Sequence, residues 1–278
     1  MGSVLLVTHQ HRGEAASLAT DAIGWLTAAG HEVRLPADDA ALLGRLDLAA
    51  GTIERGCVDL AVSIGGDGTM LRTVDLVATA GVPVLGINVG QLGYLVEVEP
   101  PGFRTAVERF FAGEHRIEER MMLHVAVEGG PSGAALNEAV LEKTPLGHTV
   151  RLRVSIDGEP FTYTADGFII ATPTGSTAYA LSARAPIVAP SHRALVLTPV
   201  AAHMLFDRSL VLEPDTVVRI EVASYRPAKL FLDGRELATL TEGMALTCTA
   251  LDKPARLVTF APRNFLGILK SKFGLNDR

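Results

Sequence analysis

Cysteine is nearly absent: Cys57 and Cys248 are the only two, and no CxxC occurs. That excludes a disulfide framework and suits a reducing compartment. A basic excess is missing too, since Asp and Glu outnumber Lys and Arg by 31 to 25 for a net charge of -6. Coating a nucleic acid requires a surface that neutralises phosphates, so no nucleic-acid partner is expected. A small anionic ligand, which needs only a local cluster of donors, stays open. No apolar run approaches the ~18 residues of a spanning helix, so no membrane partner is expected. The start, "MGSVLLVTHQ", has neither the basic residues nor the long apolar stretch of a secretory leader. The expectation is a soluble, cytoplasmic protein.

Several motifs are absent as well. There is no G-x-x-x-x-G-K-[ST], no G-x-G-x-x-G opening the first helix and no protein-kinase set. P-loop NTPases, standard dinucleotide dehydrogenases and protein kinases are thereby disfavoured. "PTGSTAYA" is not G-x-S-x-G, and no nucleophile–base pair accompanies its serines. No His-x-x-x-His spacing suggests a structural metal. No metal ligands are assigned to protein side chains.

What is present is a hydrophobic chain of 278 residues, 48% apolar, enough for one large or two ordinary domains. "VLLV" at 4–7 reads as a buried strand. A helical face of Ala15, Leu18, Ala22, Leu26 and Ala29 follows, with Gly30 as its stop, and "HEVRL" resumes an extended pattern. The unit returns as "DLAVSI", GGDGT and "MLRTVDLVATAG", where Met70, Val74, Val77 and Ala78 share a face. "PVLGINV" is the next strand and "FRTAVERFFAGEH" one more helix. Repeated strand–helix–strand units predict a mostly parallel sheet covered by helices.

After about residue 120 the period changes to two. Val150, Leu152, Val154 and Ile156 point one way, Arg151, Arg153 and Ser155 the other. Asp157-Gly158 between two such runs signals a tight hairpin. "TVVRIEVAS", "AKLFLDG", "MALTCTAL" and "ARLVTF" are also strand-like. The reading is an α/β domain over 1–118 and a β-rich domain over 119–259. A final segment, 260–278, contains a candidate helix that packs back on the first domain.

The glycine loop follows the strand "LAVSI" directly. Strand–GGDGT–helix presents free first-turn N–H groups to an anion, with the helix dipole adding positive charge. Glycine at 65, 66 and 68 lets backbone approach a phosphate closely, and Thr69 caps the helix or offers a hydroxyl. Asp67 is the odd member. Beside phosphates a carboxylate is repelled unless it binds a cation or accepts a proton from a reacting hydroxyl, and either role belongs to phosphoryl transfer. The plain alternative is a helix N-cap in an ordinary turn.

GGDGT occurs in several kinase families, lipid kinases among them. "LNEAVLEK" at 136–143, "ADGFIIATPTGSTAYALSA" at 165–183, "GVPVLGINVGQLGYLVEV" at 81–98 and, more loosely, "HMLFDRSLVL" at 203–212 decide among these. Together they resemble the NAD kinase family over most of residues 55–235. The resemblance implies a Rossmann-like α/β domain followed by a β-rich, NAD-binding one. It implies phosphoryl transfer from ATP, or polyphosphate, to the 2′-hydroxyl of the adenosine ribose of NAD, giving NADP. A divalent cation, usually magnesium, and a homodimer or homotetramer are implied too.

By the same resemblance Asp67 activates the ribose hydroxyl and Gly68 lines its loop. Arg72 reaches a phosphate, unless it is a solvated helix charge. Asn137 and Glu138 read a base edge and a sugar hydroxyl, and His148 matches a contact position that is often basic. Asp166 fits a binding aspartate, although Asp157-Gly158 and Asp233-Gly234 have the same turn-like form. Thr177, Ala178, Tyr179, Ala180, Leu181 and Ser182 close around the nucleotide, with Tyr179 offering a flat face to a base. Thr174 and Ala201 match weaker positions.

Some residues depart from the family pattern. Arg184 and Ala185 stand where glycines are usual, Ala202 where proline is, and Arg235 where glutamine is frequent. A catalytically weak paralogue that binds NAD(P) as a regulator is therefore the alternative to the kinase. A lipid kinase, resting on GGDGT alone, would call for an apolar face that the sequence does not announce.

Overall fold

The structure is a computed structural model that describes residues 1–90, 93–144 and 149–275. It divides into two compact units, Met1–Glu119 with Ala255–Arg278, and Arg120–Pro254.

In the first unit β1 (Ser3–Thr8), α1 (Gly13–Ala28), β2 (Glu32–Arg34) and α2 (Ala37–Leu42) come first. They are followed by β3 (Leu60–Gly65), α3 (Asp67–Val77), β4 (Val84–Asn88), α4 (Phe103–Phe111) and β5 (Arg116–Arg120). The sheet runs β2-β1-β3-β4, then the late strand Ala255–Thr259, then β5. β1 pairs in parallel with β2 and β3, and β4 with β3 and the late strand. β3 and β4 are buried at every position, which is why they read as unbroken apolar runs.

Helix α1 buries Ala15, Ala19, Ala22, Ile23 and Leu26. The expected face differed at its edges: Leu18 is half-buried and Ala29, already past the last helical turn, is exposed. Gly30 stops the helix at φ 82° and Gly81 ends the α3 segment at φ 71°, both left-handed positions where a side chain is disfavoured.

Ala255–Thr259 was expected in the β-rich domain. It lies inside the first unit's sheet instead, so the second boundary falls at 254/255. Its apolar pattern suits either sheet, and pairing partners are not written in a strand's own residues. The helix expected beyond it spans Phe265–Lys272 and belongs to the same unit. Asn264 caps it, accepting the Gly267 N–H at 2.9 Å.

The second unit holds two six-stranded antiparallel sheets. One is ordered Glu159–Ala165, Val150–Ile156, Val218–Val222, Ala245–Ala250, Leu123–Val127, Ser132–Ala135. The other is ordered Leu210–Leu212, Leu195–Val200, Gly167–Ala171, Glu138–Lys143, Ala228–Leu232, Arg235–Leu240. Val150, Leu152 and Val154 point into the core while Arg151 and Arg153 are exposed, the alternation read from the sequence. At the hairpin Asp157 and Gly158 take φ of 48° and 90°, both left-handed, as a two-residue turn of this type requires.

Candidate active site

β3 delivers the chain to the glycine loop at the end of a buried parallel strand, where open sheets place their ligands. Gly65 is the last residue of β3, and a Cβ there would strike the Thr69 side chain. Thr69 is thus packed against the strand end, and no side chain caps α3 at Gly66. Among the described residues, a Cβ at Gly66 or Gly68 would meet nothing within 4 Å. Gly66 and Gly68 line an open cavity, at the helix start where first-turn N–H groups have no helical acceptors.

Asp67 is the first residue of α3 and not its cap. Its carboxylate leaves its own helix and accepts the N–H groups of Tyr94 at 2.8 Å and Leu95 at 2.9 Å. Gly93 sits so close that a Cβ would collide with the Asp67 carboxylate. Burial, and then the Asp67 charge, raise the pKa of Tyr94 above its ordinary value.

A cavity of about 590 Å³ lies over this loop. Basic groups from three places line it: His9, His11 and Arg12 after β1, Arg72 on α3, and Lys272 on the C-terminal helix. Arg12 donates to Val89 O, and Gly90 leaves room for it, since a Cβ there would overlap its guanidinium. His9 is held below its ordinary pKa by burial first, then by Arg12 and His11. Arg72 is already engaged, donating to Thr8 O at 3.0 Å and pairing with the fully buried Asp39. It lends positive charge to the cavity from a fixed position.

Sequence reasoning missed His9, His11, Arg12, Gly93 and Lys272. "HQHR" after a buried strand was a signal for the first three, because a ligand sits beyond strand ends in such sheets. Lys272 carried none, as only the return of the chain to the first unit places it here.

The second unit gathers most of the other residues. Asp233 accepts the N–H groups of Leu136, Asn137 and Glu138 at 2.7, 2.8 and 3.1 Å, which fixes the Asn-Glu corner. Thr172 donates to Leu136 O at 2.6 Å, and its amide donates to Asn137 O at 2.8 Å. Gly175 presses on Asn137 so closely that a Cβ would clash with its carbonyl. "NE" and "TPTGSTAY", far apart in sequence, are thus one packed cluster.

Glu138 is buried, and among the described residues its Oε2 has no hydrogen-bond partner. Its pKa is pushed up to about 8, by burial first and then by the Asp233 charge, against the opposing effect of the Tyr179 amide. Burial raises the pKa of Asp233 as well, and its three amide donors oppose that rise. Beside it is a cavity of about 270 Å³ lined by Val140, Glu142, Tyr179 and Phe231. The Tyr179 hydroxyl donates to Glu142 Oε1 at 2.6 Å, a bond that, with burial, lifts its pKa to about 12.

Thr174 is buried and accepts from Arg120 at 3.2 Å, while Thr177 donates to Thr174 O at 3.2 Å. Tyr179–Ser182 forms a short helix with Ser182 exposed and Leu181 half-buried. Ala178 and Ala201 are on non-helical backbone before and beyond it, and Ala201 has φ 46°. Ala180 is core, packed with Ile169, Ala171 and Val196. Asp166 makes no left-handed turn; it stands at the step from one sheet to the other and pairs with Lys143 at 2.8 Å. His148 lies outside the described residues. Arg184 is exposed at φ 66°, a glycine-like backbone, and Ala185 is buried.

A parallel sheet with a glycine loop at a strand end, and a carboxylate fixed at that loop's mouth beside a basic cavity, are the parts of a phosphotransferase acting on an alcohol. Residues 4–115 match the family model described as the ATP-NAD kinase N-terminal domain, and residues 136–260 the ATP-NAD kinase C-terminal domain. The chain belongs to the NAD kinase family. It is 40% identical over 281 residues to the NAD kinase of Symbiobacterium thermophilum, covering 98% of this chain and 99% of that one. Identity to the NAD kinase of Moorella thermoacetica is 36% over 277 residues, covering 98% and 89%. Its fold is similar to a yeast NADH kinase crystallised with NADH, at TM-score 0.90, 24% identity and coverage of 100% and 89%. It is also similar in fold to an Archaeoglobus fulgidus NAD kinase in complex with ATP, at TM-score 0.75, 23% identity and full coverage of both chains. Among the described residues no helix is long and apolar enough to cross a membrane.

Proposed function

We propose that this chain transfers the terminal phosphoryl group of ATP, or of polyphosphate, to the 2′-hydroxyl of the adenosine ribose of NAD, with Asp67 as the proton acceptor. The ribose oxygen attacks the terminal phosphorus, the bond to the leaving phosphate breaks with its electron pair, and the proton passes to Asp67. The single observation that carries this reading is the Asp67 carboxylate itself, turned away from its own helix and pinned by the Tyr94 and Leu95 amides beside a basic cavity. Pinning fixes the acceptor before substrate arrives, which is where much of a proton-transfer catalyst's advantage lies.

In this reading the open first turn of α3 holds phosphate oxygens. Arg12, Arg72 and Lys272 offset the charge that accumulates there. Within the second unit, the cavity beside Glu138 and Tyr179 has apolar walls suited to a flat ring.

A divalent cation fits as an ion carried in on the donor's phosphates. Among the described residues no group of three or more His, Cys, Asp or Glu is placed to hold one, and Asp67 is the carboxylate lining the cavity. Such an ion would neutralise charge on the phosphates. Homo-oligomerisation belongs to the same proposal, supported by the exposed apolar side chains Met204, Leu205 and Phe206. A cytoplasmic location is supported by two free thiols, Cys57 and Cys248.

The test is an assay with NAD, magnesium and a panel of donors, reading NADP formation. Asp67→Asn is expected to keep the fold and dinucleotide binding while the rate falls by about 100-fold or more. An unchanged rate in that variant removes Asp67 from its role.

A further inference from the structure

The loop that holds Asp67 is itself held from the far end of the chain. Tyr94 and Leu95 give their N–H groups to Asp67, at 2.8 and 2.9 Å. Both of their carbonyls go to one guanidinium: Arg263 Nη1 donates to Tyr94 O at 2.9 Å and Nη2 to Leu95 O at 2.7 Å. Arg263 lies just before the C-terminal helix, with only 10% of its side chain exposed. Its Nε is 3.2 Å from Glu118 and 3.6 Å from Glu97. At the other end of that helix Lys272 sets its ammonium 5.0 Å from the centre of the Tyr94 ring.

These contacts form one chain of contacts within the first unit: carboxylates on the guanidinium, the guanidinium on two carbonyls, the matching amides on Asp67. Residues 93–95 belong to no strand or helix, so no ladder of backbone bonds sets their amides in place. A planar fork with two parallel donors can fix two successive peptide units at once, and its ion pairs fix the fork.

We propose that Arg263 is a positioning residue for Asp67: through the Tyr94 and Leu95 peptide units it sets the aim of the catalytic carboxylate, which makes the C-terminal segment part of the catalytic apparatus. This rests on Asp67 being the proton acceptor. An acceptor misplaced by about 1 Å costs on the order of 100-fold in rate without weakening substrate binding in proportion. An arginine that merely fastened the tail would alter stability and leave the turnover of folded enzyme alone.

The experiment is a double-mutant cycle on the full chain, with rates normalised to folded protein by circular dichroism and by bound NAD. Arg263→Gln is expected to lower kcat by roughly 10- to 100-fold with the KM for NAD and for ATP changed less than about 3-fold. Arg263→Lys, which keeps the charge but not the fork, is expected to fall between it and the parent, and serves alone if the glutamine variant does not fold. In the Asp67→Asn background Arg263→Gln is expected to cost nothing further, since a positioning residue has nothing left to position. A parental kcat in both Arg263 variants overturns the proposal. So does an equal loss in the presence and absence of the Asp67 carboxylate, which would make Arg263 an independent contributor. If Asp67→Asn alone keeps the parental rate, the reading of Asp67 fails instead, and the two failures are told apart.

Discussion

Glu138 shows how far one residue's chemistry depends on its neighbours. In the unfolded chain its carboxyl releases its proton near the ordinary 4.5, and in the folded chain only near 8. Between those values the native state binds the extra proton, so stability falls as pH rises through the window. The slope is about 1.4 kcal/mol per pH unit. That contribution is fully present below 4.5 and gone above 8. Glu138→Gln keeps the shape and removes the titration. Urea midpoints at pH 5, 7 and 9 are expected to decline in the parent over this range and to decline less in the variant. Equal slopes would show that the proton on Glu138 is not the cause. Arg184 marks the opposite case, a family departure whose backbone still takes the left-handed form that glycine adopts freely, with its side chain exposed. Nothing in the structure explains why arginine is the residue chosen.

Among elements, the most instructive connection joins β1, α2 and α3. Asp39 on α2 is fully buried and accepts the Thr8 N–H at 2.8 Å while pairing with Arg72 of α3. One carboxylate so ties the end of a central strand to the helix that follows the glycine loop. Removing Asp39 leaves the Thr8 N–H without its acceptor and Arg72, a quarter exposed, without its partner, and Asp39→Ala is expected to cost roughly 1–3 kcal/mol. Chemical denaturation would measure it, and a loss under about 1 kcal/mol would mean that water replaces the carboxylate at no great cost. Arg72, expected from the sequence to reach a phosphate or to be a solvated charge, lines the cavity and is anchored there by Asp39. The spacing of Asp67 and Arg72 on one helix was visible in the sequence. Asp39, 33 residues away, was not.

At the scale of the molecule the chain leaves the first unit, builds the second, and returns to insert Ala255–Thr259 between β4 and β5. That return supplies Arg263 and Lys272. The second unit carries its own unspent surface, Leu205 fully exposed with Met204 and Phe206 beside it and Val211 on the short edge strand Leu210–Leu212. Grouped apolar side chains of this kind mark protein contacts. Sedimentation is expected to show a dimer or tetramer, and Leu205→Asp to shift it toward monomer with the fold intact. A monomeric parent chain would end that proposal.

What the sequence determined by itself was local or compositional. Periodicity announced strands and helices, Asp157-Gly158 announced its hairpin, and GGDGT after an apolar run announced a strand-to-helix turn, because each depends on residues a few positions apart. The tertiary structure alone decided which sheet received Ala255–Thr259, that Asp39 would anchor Arg72, that Asp233 would clamp the Asn-Glu corner, and that a C-terminal arginine would grip the loop behind Asp67. Those outcomes depend on contacts across long stretches of chain, between groups whose identities say only that a partner is needed and not which one it will be.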